Sequence, residues 1–330
     1  MAGLKEEETF SAWHPGIISS IPERLRPYST IFRVENSHVT YEQAKELSGF
    51  CGIKPEKLVA FKLERLIQHE VLVRVTADLS VPDGPNYEEL GINLRSMVAR
   101  IYDHYIIPDL ENINEEFEAA ISLANSFILE HLDAAIYKRD DSKEIEEKRS
   151  FLSRIFSGKQ KPKVVDHELP EIRALPVWQD ELTQVQDDIA KECLVSMLYV
   201  IGKILGQRGR LVTDRELTVN IVLNRFCNSY GSKWVSDRIS SLIKTAASVE
   251  GYRLLPKQEK PVVMNVKGAS ASGKSTIRTQ QRELAKRLGV IWKDFALISP
   301  DYWRKYMLDY DSLGEDYKYA GMLTGQELEI

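Results

Sequence analysis

Val262-Val263-Met264-Asn265-Val266-Lys267-Gly268-Ala269-Ser270-Ala271-Ser272-Gly273-Lys274-Ser275-Thr276 joins a strand-like run to a glycine-rich loop, and the architecture of the C-terminal part turns on it. Its first five residues are mostly apolar and β-branched, the composition of a buried strand. Residues 268–275 fit the pattern G-x-x-x-x-G-K-[ST]. Gly268 and Gly273 permit backbone angles that a side chain obstructs. The loop then turns its amide N–H groups onto phosphate oxygens. A following helix adds the partial positive charge of its N-terminus. Lys274 is placed to reach the β- and γ-phosphates, and the Ser275 hydroxyl is a hard oxygen ligand for Mg²⁺. The expected nucleotide-phosphate site is therefore Gly268, Ala269, Ser270, Ala271, Ser272, Gly273, Lys274, Ser275 and Thr276. The bland reading of the same residues is a Gly/Ser-rich turn that binds nothing.

Working outward, Lys274 to Leu288 has helical spacing (Ile277, Leu284, Leu288) and Gly289 stands at its end. Phe295-Ala296-Leu297-Ile298 is a second candidate strand. Pro300-Asp301 follows its carboxyl end, where an open parallel sheet places its ligand crevice. A carboxylate there can take a proton from an attacking hydroxyl or hold Mg²⁺ through water. The competing reading makes Asp301 a plain helix N-cap. Helical stretches are expected over 301–308 and 317–330.

Taken together, the phosphate loop, the second strand, Ser299-Pro300-Asp301-Tyr302-Trp303-Arg304 and Tyr310-Asp311-Ser312-Leu313 resemble the zeta-toxin-like P-loop kinases. The resemblance covers about residues 261–330. It implies an ATP-dependent kinase with ATP and Mg²⁺ as cofactors. It places the proposed general base at Asp301 and the basic residue of the following short helix at Arg304. Family members similar to the bacterial toxins phosphorylate the 3′-hydroxyl of UDP-N-acetylglucosamine, so the implied acceptor is a small-molecule hydroxyl such as that of a nucleotide sugar. A kinase domain of this kind needs more strands and helices than 261–330 contain. The stretch therefore predicts an N-terminal portion of that domain in a truncated chain, itself inactive.

Upstream the grammar is helical. Residues 1–39 read as irregular, with Pro15, Pro22 and Pro27. Thr40 opens a helix with Gln43 as capping-box partner, and Gly49 and Gly52 close it. Residues 55–79 have roughly helical apolar spacing, and Val81-Pro82-Asp83-Gly84-Pro85 is a breaker. A long helical stretch over 87–137 must kink or split at Pro108, which cannot donate to the ladder. Residues 138–176 read as a linker or loop, first of mixed charge and then broken by Pro170 and Pro176. Helix returns over 178–206. Thr213 with Glu216 forms a capping box for a helix to about Ser229, and a further helix spans 232–250.

Composition narrows the function classes. The chain has 330 residues, 44 Lys plus Arg, 49 Asp plus Glu and a net charge of −5. A mildly acidic balance argues against a general nucleic-acid surface. Three dispersed cysteines form no CxxC pair, which argues against a disulfide framework or structural zinc and fits a reducing cytosol. No apolar run is long enough for a membrane span. His69-Glu70 lacks the second histidine of a zinc-protease helix, since position 73 is Val. Trp303, Tyr306, Tyr310, Tyr317 and Tyr319 are candidates for stacking a base or sugar, though such groups more often pack helices.

The expected chain is thus mostly α: an irregular segment over 1–39, an α-helical domain over 40–255, and the start of an α/β P-loop kinase domain over 256–330. It is expected to be cytoplasmic, or a secreted bacterial effector acting in a host cytosol. The alternative function is a helical protein-interaction or regulatory module, with a protein partner on its helices and a non-catalytic phosphate loop. A GTPase-type switch ranks third, because its guanine-specificity signature is not visible.

Overall fold

A computed structural model describes residues 21–86, 88–137, 169–266 and 274–329, with the backbone alone at Lys274 and Ser275. The chain is mostly α-helical. The longer helices are α1 (Tyr41–Cys51), α2 (Leu63–Asp78), α3 (Glu89–Ile101), α4 (Leu110–Leu132), α5 (Pro170–Gln184), α6 (Asp188–Arg208), α7 (Arg215–Glu250), α8 (Arg278–Arg287) and α9 (Pro300–Met307).

Several boundaries follow from local chemistry. Thr40 and Gln43 form the expected capping box on α1: each side chain bonds the other's backbone N–H. Gly52 ends α1 with φ +72°, a left-handed conformation that disfavours a Cβ. The stretch 87–137 does split at Pro108. A π-helical turn (Tyr102–Ile106) and a 3₁₀ turn (Ile107–Asp109) separate α3 from α4. Asp187 caps α6 by accepting from Ala190 N at 2.7 Å.

Other boundaries differ from the sequence reading. Pro55 opens a 3₁₀ turn, Pro55–Lys57, and α2 begins only at Leu63. Pro170 is the first residue of α5, where its missing N–H costs nothing, and Pro176 lies inside that helix beside the buried Ala174 and Trp178. The irregular stretch therefore ends before Pro170. The cap of α7 is Asp214 rather than Thr213, because its carboxylate accepts from Leu217 N at 2.8 Å. The helix then runs without a break through Gly231. The charged segment 138–168 lies outside the described residues.

The described residues sort into two compact units that are each discontinuous in sequence, unlike the linear division at 255. One contains 38–61 and 115–231. In it, the apolar side of α6 (Cys193, Leu194, Met197, Val200, Ile201, Ile204) is buried, as are Trp178 of α5 and Phe226 of α7. Asp133 is bound through both carboxylate oxygens by Arg215, at 2.5 and 2.9 Å.

The other unit contains 21–37, 62–114 and 232–329. Here α2 packs on α3 and α3 on α9. Gly91 of α3 is buried against the Tyr302 ring, and a Cβ at Gly91 would stand 2.7 Å from Tyr302 Cδ1. A second cluster joins the two ends of this unit: Leu25, Leu308, Tyr319, Ala320 and Leu323 are buried together. Ser29 and Thr30 both donate their hydroxyls to the Leu323 carbonyl.

The two expected strands are not formed. Residues 261–266 and 296–299 are described without helix or strand, and Val263 and Ile298 are 83% and 68% exposed. A strand exists only through a ladder partner and a covered face, and neither run has one among the described residues. The start of an α/β sheet is accordingly not seen. An isolated antiparallel bridge, Leu79 with Leu254, ties the end of α2 to the segment after α7.

Candidate functional site

Residues 267–273, and with them Gly268, Ala269, Ser270, Ala271, Ser272 and Gly273, lie outside the described residues. The backbone resumes as a 3₁₀ turn, Lys274–Ile277, that leads directly into α8. Residues 274–277 are thus helical where the described chain takes up again. Thr276 and Ile277 are exposed.

Asp301 sits in the first turn of α9, with Pro300 at the first helical position and Ser299 at the cap. No side chain caps this helix, so the N-cap reading of Asp301 does not hold. Instead Asp301 accepts from Arg304 Nη1 at 3.0 Å. The Asp301 side chain is 72% exposed and that of Arg304 29%. The structure therefore brings together the two residues that the family resemblance singled out. Arg304 Nε is buried and has no hydrogen-bond partner among the described residues.

Of the aromatic group around α9, Tyr319 is buried and Trp303, Tyr306 and Tyr310 are half-buried, whereas Tyr317 is 57% exposed. Trp303 Nε1 donates to Thr76 Oγ1 at 3.2 Å. Burial pushes the Tyr306 hydroxyl up to about 12. Tyr310 and Tyr317 meet edge to face at 5.6 Å.

A cluster that the sequence reading missed anchors the chain after α9. Glu327 is fully buried and accepts from Arg65 Nε at 2.5 Å, Arg65 Nη2 at 2.8 Å and His69 Nε2 at 2.5 Å. Burial alone would raise the Glu327 carboxyl, but the hydrogen bonds from His69 and Arg65 overcome it and hold it at about 2. His69 is thus a partner of a carboxylate rather than a metal ligand. The i, i+4 placement of Arg65 and His69 on one face of α2 was visible in the sequence; their distant acidic partner was not.

A cavity of about 930 Å³ lies beside α8, with Pro82, Asp83, Tyr252, Arg253, Arg282 and Trp292 among its walls. Asp83, in the segment read as a breaker, accepts from Arg282 Nη2 at 2.6 Å and from Trp292 Nε1 at 3.0 Å. Asp294 accepts twice from Arg253, at 3.1 and 2.5 Å. No local sequence signal marks these residues, because four separate stretches supply them.

Among the described residues, no group of three or more His, Cys, Asp or Glu is placed to hold a metal ion. The donors expected for Mg²⁺ and phosphate are a hydroxyl (Ser275), an ammonium (Lys274) and loop amides, a set whose chemistry suits both. No helix among the described residues is long and apolar enough to cross a membrane. Comparison of the chain with protein-family models, with curated proteins and with solved structures gives no match.

Proposed function

We propose that the chain is part of an ATP-dependent phosphotransferase of zeta-toxin-like type, which in the full-length protein moves a γ-phosphoryl group to a hydroxyl of a small molecule such as a nucleotide sugar. The observation that carries this reading is the G-x-x-x-x-G-K-S run at 268–275, followed by helical backbone over 274–287. Lys274 and the loop amides would hold the donor phosphates, and Ser275 would hold Mg²⁺. Bound Mg²⁺ supplies charge neutralisation at the phosphates. Asp301 would accept the proton of the acceptor hydroxyl as its oxygen bonds to phosphorus and ADP departs. Arg304, on the same turn of α9, orients that carboxylate.

The test is transfer of labelled γ-phosphate from ATP to UDP-N-acetylglucosamine and a panel of small hydroxyl acceptors. The full-length protein is expected to label an acceptor, and its Asp301→Asn variant to lose at least about a hundredfold, the usual worth of a positioned base. Equal rates in both would overturn the assignment of Asp301.

A second reading, a helical interaction or regulatory module, draws on a different observation. The segment that follows the loop forms no described sheet and is anchored to α2 through Glu327 and Trp303. On that reading the loop is structural and a protein partner engages the helices.

A further inference from the structure

The cavity beside α8 is built around two arginines whose positions are fixed from behind. Asp83 and Asp294 are largely buried, with side-chain exposures of 13% and 11%. Each carboxylate holds one guanidinium by one edge: Arg282 through Nη2, Arg253 through Nε and Nη2. A guanidinium has five N–H donors, so this leaves Arg282 Nε and Nη1 and Arg253 Nη1 unspent. Arg282 Nε is buried, with no hydrogen-bond partner among the described residues. Lys293 lines the same cavity, is exposed, and has no ion pair among the described residues. Three cations thus face the space against two carboxylates already engaged.

The remaining walls are aromatic. Trp292 and Phe295 lie with ring centroids 5.5 Å apart, Tyr252 also lines the cavity, and the Arg282 guanidinium lies 6.0 Å from the Trp292 ring centroid. Aromatic and guanidinium faces together stack planar rings. A volume of about 930 Å³ is within the range of small-molecule sites, about 300–1,000 Å³.

We propose that this cavity binds a nucleoside monophosphate. The phosphate's three terminal oxygens would take the spare donors of Arg282, Arg253 and Lys293. The base would stack on the Trp292 and Phe295 wall. Phosphate suits the site better than carboxylate, because three separate donors face the space. The donors and rings invoked here, Arg253, Arg282, Lys293, Trp292 and Phe295, all stand outside the Walker-type loop.

The test uses the full chain carrying Lys274→Ala, so that the loop does not contribute. The four ribonucleoside 5′-monophosphates are titrated by calorimetry, with the corresponding nucleosides and inorganic phosphate as controls. At least one monophosphate is expected to bind saturably, about tenfold or more tighter than its nucleoside and than inorganic phosphate. Lys293→Gln is expected to weaken it about tenfold, the worth of one charge-assisted hydrogen bond. Lys293 supports no other described group, so this variant keeps the fold. Arg253→Gln should act in the same direction. Failure of all four monophosphates to bind a folded chain overturns the proposal. So does binding that Lys293→Gln and Arg253→Gln both leave unchanged, or inorganic phosphate that binds as tightly as the monophosphate.

Discussion

Arg65 and Glu327, 262 residues apart in sequence, form a two-pronged ion pair in which both side chains are buried. Removing one partner of such a pair strands the other charge in a dry site, at a cost of about 3–5 kcal/mol. Glu327→Gln and Arg65→Ala are each expected to lower unfolding stability by that amount in urea. Arg65→Met combined with Glu327→Leu should recover most of the loss, because no charge is then left alone. Two single variants indistinguishable from wild type would show that the pair does not hold the chain after α9.

The same carboxylate predicts the acid limit of stability. Its folded value of about 2 lies below its ordinary value of 4.5. The contribution is therefore complete above about pH 4.5 and is lost as the pH falls toward 2, when the carboxyl takes up its proton. A difference of that size is worth about 3 kcal/mol. Urea midpoints measured from pH 6 to pH 2.5 should fall more steeply in wild type than in the Arg65→Met, Glu327→Leu variant. Parallel curves would contradict the assignment.

At Gly91 the limiting factor is space. A methyl group there would lie 2.7 Å from Tyr302 Cδ1 and 3.0 Å from Cε1. Gly91→Ala is expected to destabilise the chain by about 1–3 kcal/mol through overpacking. In a Tyr302→Ala background the same change should become neutral or favourable, since alanine is the better helix former by about 1 kcal/mol. Thermal melts of the four proteins close this cycle, and an unaltered penalty in the Tyr302→Ala background would rule out the Tyr302 contact as its cause.

Burial pushes the Cys193 and Cys227 thiols up to about 12, and raises Cys51 as well. Thiolate is the reactive form, so all three should modify slowly in the native chain at pH 8. A disulfide reagent is expected to titrate few thiols in buffer and three in denaturant. Prompt modification of the native chain at Cys193 would contradict the packing of α6.

What the sequence made legible was local. Thr40 with Gln43, Gly52 and Pro108 each act through bonds to residues no more than four positions away, and each boundary stands where the spacing put it. Less legible were features decided by packing. Gly231 and Pro176 lie inside helices whose buried faces outweigh their breaking tendency. The apolar runs at 262–266 and 295–298 carry strand composition, but composition does not supply a ladder partner. Glu327 carries no local mark in the sequence, because only the tertiary fold brings Arg65 and His69 to it. At the phosphate site, residue identity at 268–275 carried the reading, and the structure adds helical backbone over 274–287.

The most direct measurement of the central claim is calorimetric titration of the chain with ATP and Mg²⁺ beside Lys274→Ala. Wild type is expected to bind saturably, and the substitution to weaken binding at least about tenfold, the worth of one charge-assisted contact to phosphate, with the melting temperature unchanged. Equal binding by the two proteins, or no binding by a folded wild-type chain, would contradict the nucleotide-phosphate site and with it the phosphotransferase.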